Sequence, residues 1–176
     1  NSPTADWYTD THDTPMPYEH ENKECFIHTG FWDSADAVYD WVLEEARDAH
    51  FDGRKIWMTG HSLGAAMATL TSFRLMYEDE IPVQSLQTFG SPKVGDSNFV
   101  SMCGNIGPAG KSLANVTQRF VVDGDPATTF PNGEFVSWNI LKKVYVTYAH
   151  LGITNTIFET SPNEFLIAFD TGEDRD

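Results

Sequence analysis

One serine of the chain lies between two glycines in the stretch WMTGHSLGAAMATL, which covers residues 57–70. Gly60, Ser62 and Gly64 fit the pattern Gly-x-Ser-x-Gly, at a point where a strand-like run gives way to a helix-like one. In a nucleophile elbow, the residues two before and two after the serine must be small, because strand and helix pass close together there. The pattern therefore predicts a serine nucleophile at Ser62; the alternative is a small residue in a tight turn.

The residue after Ser62 is the expected oxyanion donor. A helix that begins at the serine directs its free N–H groups and its positive dipole end at the reacting centre, and both favour a developing negative charge. The backbone N–H of Leu63 would supply one such hydrogen bond. This arrangement is typical of acyl transfer through a covalent intermediate on the serine, which needs no metal or organic cofactor.

The elements around this turn alternate between strand-like and helix-like runs. Strand, helix, strand, helix, strand predicts an α/β fold in which a mostly parallel sheet is flanked by helices. Sites in such sheets lie at the carboxyl ends of the strands, so TGHS, TFGSP and VVDGDP are expected at one rim. The predicted strands are 25–30, 54–60, 83–90, 117–124, 142–149 and 164–170, and the predicted helices are 33–50 and 62–80.

The amino-acid composition limits the classes of molecule that the chain is expected to bind. With 11 basic and 26 acidic residues among 176, the chain has a net charge of −15 and would be repelled by phosphate backbones, so no nucleic-acid partner is expected. Hydrophobic residues make up 40 % of the chain, enough for one folded domain over 1–176. No apolar run approaches the length of a membrane span.

Two cysteines and one glycosylation sequon are the sequence features that relate to the cellular compartment of the protein. Cys25 and Cys103 form neither a disulfide framework nor a zinc motif, so no metal site is expected. They could pair in an oxidising compartment, or both could be buried thiols. The sequon at Asn115 is compatible with a secreted or lumenal protein.

Sequence blocks on both sides of the turn resemble those of the class 3, fungal-type lipases, which have the α/β-hydrolase fold. The resemblance implies a serine carboxylic-ester hydrolase that acts on acylglycerols or other lipid esters at a lipid–water interface. It implies no cofactor. The matching blocks occur in the family's order; they are DWYTD (6–10), IHTGFWDSA (27–35), TGHSLGAA (59–66), TFGSPKVGD (88–96) and RFVVDGDPATTFP (119–131).

Carried over residue by residue, the resemblance places the nucleophile at Ser62 and the catalytic acid at Asp125, in the segment Asp-Pro-x-x-x-x-Pro. The order of serine before aspartate along the chain agrees with α/β-hydrolases. Asp123 is the alternative acid, two residues earlier. A buried carboxylate is needed to hold the base in the correct tautomer and to stabilise its protonated form.

Two parts of the family pattern are not found in this sequence. The segment that carries a second oxyanion donor would precede Asn1, and the catalytic histidine would follow Asp176. His150 is the only histidine after Asp125, but its block YAHLGI resembles one in which the family's histidine is structural. The sequence is therefore interpreted as an incomplete lipase-like domain, with a partner chain as one possible source of the missing segments.

The first ten residues resemble the family's lid, a short amphipathic helix that covers the serine and opens at a lipid surface. Trp7 and Tyr8 are its large apolar side chains, and Trp7 is the expected lid or substrate contact. A frayed terminus with one aromatic side chain docked on the core is the alternative. For the whole chain, the alternative to an esterase is a catalytically silent binding or structural subunit on a lipase fold.

Overall fold

The structure, a computed structural model, describes residues 14–132, 135–139, 142–161 and 164–169. The strands in these ranges are β1 (Pro15–His20), β2 (Lys23–His28), β3 (Ile56–His61), β4 (Val83–Phe89), β5 (Gly95–Asp96), β6 (Thr117–Val122), β7 (Phe135–Asn139), β8 (Lys142–Val146), β9 (Tyr148–Ala149), β10 (Ile153–Ser161) and β11 (Glu164–Phe169). The α-helices are α1 (Thr29–Phe51), α2 (Leu63–Tyr77), α3 (Ser97–Cys103) and α4 (Leu113–Val116). Two short 3₁₀ turns, Pro108–Gly110 and Pro126–Thr129, complete the described elements.

The main sheet has five strands in the order β11-β10-β6-β4-β3. β10, β6, β4 and β3 are parallel to one another, and β11 runs antiparallel to β10. The prediction of a mostly parallel sheet flanked by helices is therefore confirmed. Because β3, β4 and β6 are parallel neighbours, their carboxyl ends lie side by side at one edge of the sheet.

The predicted strand 25–30 corresponds to β2, but β2 does not join the main sheet. It belongs to a four-stranded antiparallel sheet with the order β1-β2-β5-β9. A two-residue turn joins β1 to β2, in which Glu21 and Asn22 have φ of 50° and 61°. Left-handed conformations at both positions match the twist of a hairpin, so β2 pairs locally with β1 instead of forming a βαβ unit with β3.

The predicted strand 142–149 was wrong as a single element. It is divided at Thr147 into β8, which pairs with β7, and β9, which pairs with β5. A continuous alternation of apolar residues does not show that the two halves pair with different strands. β8 pairs with the neighbouring β7, whereas β5, the partner of β9, lies far away in the sequence. The sequence analysis also did not predict β1, β5, β7, β10, α3 or α4.

The first helix begins four residues before its predicted start. His28 is its N-cap, and the ring Nδ1 accepts a hydrogen bond of 3.3 Å from the N–H of Phe31. Val38 and Trp41 recur at helical spacing in the sequence, yet they are 39 % and 67 % exposed, whereas Tyr39 is buried. Histidine is not a usual cap residue, so the true helix start and its buried face were not evident in the sequence.

The buried helix α2 packs against α1, β3 and β4 and forms the centre of the core. Phe73 is fully buried in the second half of this helix. The Phe73 ring lies 5.7 Å from that of Tyr18, 5.2 Å from that of Tyr77 and 5.0 Å from that of Phe99, measured between centroids. These contacts join the antiparallel sheet, α2 and α3 into one apolar cluster.

Cys25 and Cys103 are free thiols and are both fully buried in this core. Burial raises the pKa of Cys25 to about 12, and burial also raises the pKa of Cys103 well above its ordinary value. Of the two alternatives for the cysteines, the structure shows buried thiols. In the described part of the chain, no helix is long and apolar enough to span a bilayer.

We expect Phe73→Ala to lower the free energy of unfolding by about 3–5 kcal/mol, because it removes a buried ring and leaves a cavity. Phe51→Ala is the matched control, since the Phe51 side chain is 92 % exposed; its effect should stay within about 0.5 kcal/mol. Urea denaturation of both variants measures the difference. Equal effects of the two substitutions would contradict the assignment of Phe73 to the core.

Candidate active site

Ser62 occupies a strained turn between β3 and α2. It is the N-cap of α2 with φ of 54° and ψ of −122°, a conformation that a non-glycine residue rarely adopts. Its N–H donates to the carbonyl oxygen of Phe89 over 3.0 Å, and its carbonyl accepts from Ala65 N and Ala66 N. The half-buried hydroxyl does not cap the helix. The N–H and the carbonyl of Ser62 are therefore both hydrogen-bonded, whereas Ser62 Oγ makes no hydrogen bond to α2.

The close approach of β3 and α2 explains the two glycines. A Cβ atom on Gly60 would lie 2.6 Å from Ala65 N and closer still to the carbonyl oxygen of Gly64. A Cβ on Gly64 would have nothing within 4 Å. Gly60 is therefore required for strand and helix to meet, whereas Gly64 is not constrained by any described neighbour. The expectation that both flanking positions must be small applies in this structure only to Gly60.

The N-terminus of α2 lies directly after Ser62. The first N–H groups of an α-helix have no acceptor within the helix, and Leu63 is the first residue of α2. These groups and the helix dipole favour a negative charge near the serine. The position of Leu63 is therefore suited to oxyanion stabilisation, the role that the sequence predicts for its N–H.

Asp125 follows β6, two strands away from Ser62, and caps the 3₁₀ turn Pro126–Thr129. Its Oδ1 accepts a hydrogen bond of 2.9 Å from the N–H of Ala127. The Asp125 side chain is half-buried, whereas Asp123 is exposed. Since a buried carboxylate is required to orient a base, these exposures favour Asp125 over Asp123.

Gly90, at the end of β4, lies between β3 and the Asp125 turn. A Cβ on Gly90 would lie 2.9 Å from Asp125 Oδ2 and 3.7 Å from His61 Nε2, and the φ of Gly90 is +55°. Glycine is therefore required here both for the turn and for space. The structure thus brings the His61 ring and the Asp125 carboxylate close to the same small residue, a proximity that was not predicted from the sequence.

His150 has a different environment. Its Nε2 lies 2.7 Å from the carbonyl oxygen of Thr128, which can only accept, so Nε2 carries the proton. Its buried Nδ1 has no hydrogen-bond partner among the described residues. Burial, and then the positive charge of Arg119, lower the pKa of His150 to about 4. The ring therefore supports the turn that carries Asp125, which agrees with a structural histidine.

Trp7 and the lid segment 1–10 lie outside the described residues. Within the described ranges, no group of three or more His, Cys, Asp or Glu side chains is placed to hold a metal ion.

The family of the chain is decided by a match to a family model. The model for the family described as Lipase (class 3) matches residues 1–135. This chain belongs to the class 3 lipase family. The matched range contains Ser62, Asp125 and the rim of the sheet between them.

Several proteins are similar to this class 3 lipase. Phospholipase A1 PLIP2, chloroplastic, of Arabidopsis thaliana is 28 % identical over 154 residues, which cover 77 % of this chain and 21 % of that protein. Secreted mono- and diacylglycerol lipase A of Penicillium camembertii is 33 % identical over 112 residues, which cover 61 % of this chain and 33 % of that protein. The chain thus spans about a fifth to a third of the length of these curated relatives.

The solved structure of the Rhizomucor miehei lipase propeptide complex has the same fold. It superposes with a TM-score of 0.67 at 24 % identity, over 97 % of this chain and 50 % of that chain. The fold of this class 3 lipase is therefore that of the α/β-hydrolases.

We expect Gly60→Ala to lower the free energy of unfolding by at least about 2 kcal/mol, because the new methyl group would meet the backbone of α2. Gly64→Ala is the control. It should leave stability unchanged or raise it by up to about 1 kcal/mol, since alanine is favoured over glycine in a helix. Chemical denaturation measures both. A Gly60→Ala variant as stable as Gly64→Ala would exclude the tight elbow.

His150 should make stability depend on pH. Its pKa is lowered from 6.5 to about 4 in the folded state, so the unfolded chain binds the proton more tightly. The stabilising contribution is therefore complete above pH 6.5 and is lost as pH falls towards 4. Between about pH 7 and pH 5, the wild type should lose about 2 kcal/mol more than His150→Gln.

Urea denaturation at the two pH values measures this difference, because the carboxylates contribute equally to both proteins. Glutamine can still donate to the Thr128 carbonyl, so the variant should fold. Identical pH dependence in the wild type and the variant would show that His150 is not held neutral.

Proposed function

We propose that this class 3 lipase is a serine carboxylic-ester hydrolase in which Ser62 is the nucleophile. The observation that carries the proposal is the strained Ser62 turn at the N-terminus of α2, which requires a glycine at position 60. A strained residue persists only where the surrounding structure holds it, and such residues cluster at functional sites. The hydroxyl makes no capping bond and is therefore available for attack on an ester carbonyl.

In this mechanism a general base takes the hydroxyl proton of Ser62 as Oγ attacks the ester carbonyl carbon, which gives a tetrahedral intermediate; the base then returns the proton to the leaving alcohol oxygen. The N–H of Leu63 donates to the oxyanion of the intermediate. Collapse of the intermediate releases the alcohol and leaves an acyl-enzyme, which water then hydrolyses to the free acid. Asp125 holds the base in the correct tautomer and stabilises its protonated form. The half-buried Asp125 carboxylate, fixed by its bond from Ala127, supports this role.

The described residues support a general base less well than they support the nucleophile or the acid. The proton on His150 Nε2 is donated to Thr128, which directs that side of the ring to the Asp125 turn. We propose that the base is a histidine outside the described residues or on a partner chain.

The proposed substrates are lipid esters. Relatives of this chain carry the names phospholipase A1 and mono- and diacylglycerol lipase, and both kinds of name denote hydrolysis of an ester in a glycerolipid. The aromatic side chain of Trp7 would contact substrate or a lipid surface, as the similarity of 1–10 to a lid implies. The acyl length depends on pocket walls from several loops and is not part of the proposal.

Hydrolysis of p-nitrophenyl butyrate and palmitate tests the proposal. Ser62→Ala should reduce the rate to that of buffer, and Asp125→Asn should reduce it by about 10²-fold or more, because the base loses its orienting carboxylate. Ser101→Ala is the matched control, since Ser101 is an exposed serine of α3.

Hydrolysis that is equal in wild type and Ser62→Ala would contradict a serine mechanism. If a longer chain containing these residues also showed no Ser62-dependent hydrolysis, the result would favour a catalytically silent scaffold of lipase fold. Thermal unfolding of each variant confirms that a lost rate does not reflect a lost fold.

A further inference from the structure

A buried arginine lies beneath the rim of the main sheet. Arg119 of β6 is aligned with Thr88 of β4 and with Thr154 of β10 in the strand register. Only 5 % of Arg119 is exposed, and its guanidinium donates to Thr154 Oγ1 over 2.7 Å. Throughout the part of the chain that the structure describes, no carboxylate forms an ion pair with it.

Two hydrogen-bond donors in this region have no partner among the described residues. They are Arg119 Nε and Thr88 Oγ1, and both are buried. Both residues line one small cavity of about 10 Å³. The other lining residues are Thr69, Ser91, Pro92, Val94, Thr117 and Leu151. A buried donor without an acceptor is unfavourable, so an acceptor in this cavity would stabilise the fold.

The remaining polar groups of the cavity have partners already. The hydroxyls of Thr69, Ser91 and Thr117 donate to backbone carbonyl oxygens, so the protons offered to a ligand come from Arg119 and Thr88. A volume of about 10 Å³ admits one group of roughly the size of a water molecule. The ligand is therefore a single small acceptor.

Two acceptors could fit this cavity, a water molecule and a small anion, and they differ in charge. An arginine guanidinium remains protonated in proteins, so the cavity wall carries a positive charge. A water molecule can accept both hydrogen bonds but leaves that charge uncompensated, and an unpaired buried charge is strongly unfavourable. Burial lowers the pKa of Arg119 to about 10, which agrees with a poorly compensated cation. An anion would accept both bonds and neutralise the charge.

We propose that this cavity is a binding site for one monovalent anion of the size of chloride, held by Arg119 Nε and Thr88 Oγ1. The ion would stabilise the segment after β4, because Ser91, Pro92 and Val94 line the same cavity. This segment follows Gly90, where an added Cβ would lie 2.9 Å from Asp125 Oδ2 in the candidate active site. The proposal does not depend on the proposed hydrolase function.

Thermal unfolding in sodium gluconate, replaced stepwise by sodium chloride at constant ionic strength, tests the site. Constant ionic strength removes general screening of the net negative charge, and gluconate is too large for the cavity. We expect a saturable rise in Tm of about 3 °C in chloride, because the ion binds only the folded state. An equal Tm in the two salts would overturn the proposal.

Single substitutions test whether the chloride-specific rise in Tm arises at this cavity. Thr88→Val keeps the side-chain shape and removes one donor, and Arg119→Met removes the charge; each should abolish or strongly reduce the chloride-specific rise. Arg54→Met is the control, since Arg54 is an exposed cation paired with Asp52, and it should retain the full rise. If Arg119→Met does not fold, Thr88→Val and the wild type still decide the outcome.

Crystals grown in bromide test the position directly. An anomalous peak within hydrogen-bond distance of Arg119 Nε and Thr88 Oγ1 is expected. An ordered water in place of the peak would overturn the proposal. A peak without the chloride-specific rise in Tm would overturn it too, because the site would then bind only at crystal concentration.

Discussion

The candidate site depends on one steric constraint, the contact between the end of β3 and the first turn of α2. Because Gly60 has no side chain, its backbone can approach the Gly64 carbonyl and Ala65 N closely. That approach makes the connection short, and the short connection forces Ser62 into the left-handed region with its N–H bound to Phe89 of the neighbouring strand. The position of Ser62 at the rim of the sheet and the dipole of α2 behind it both follow from this one contact.

The parallel register of the main sheet determines what surrounds the serine. β4 and β6 end beside β3, so Gly90 and the Asp125 turn come to the same rim. His150 supports this turn from below through Thr128, and burial and the charge of Arg119 keep its ring neutral. The polar groups beneath the rim, among them His150, therefore support the turn that carries Asp125. The apolar cluster around Phe73 lies on α2, further from its N-terminus.

Sequence reasoning succeeded where structure is decided by neighbours in the chain. The elbow at Ser62, the helix after it and the strands that became β3, β4 and β6 all follow from short patterns of glycine, apolar and polar residues. It failed where the partner strand is distant or was itself not predicted. β9 pairs with β5, far away in the chain, which separates it from β8 within 142–149. The hairpin of β1 and β2 is local, but it was missed because β1 was not predicted. The cap of α1 by His28 was missed because histidine rarely caps helices.

The sequence by itself determined that a serine would stand at a strand-to-helix turn, and it determined the segment in which an aspartate would follow. Steric rules for glycine and the periodicity of apolar residues act over a few positions, so they can be read without coordinates. Tertiary structure alone decided that His61 and Asp125 both lie close to Gly90, that His150 faces Thr128, and that Arg119 is buried beside Thr88 and Thr154. These proximities join strands and loops far apart in the chain, and they exist only because strand register and core packing fix the distances between them.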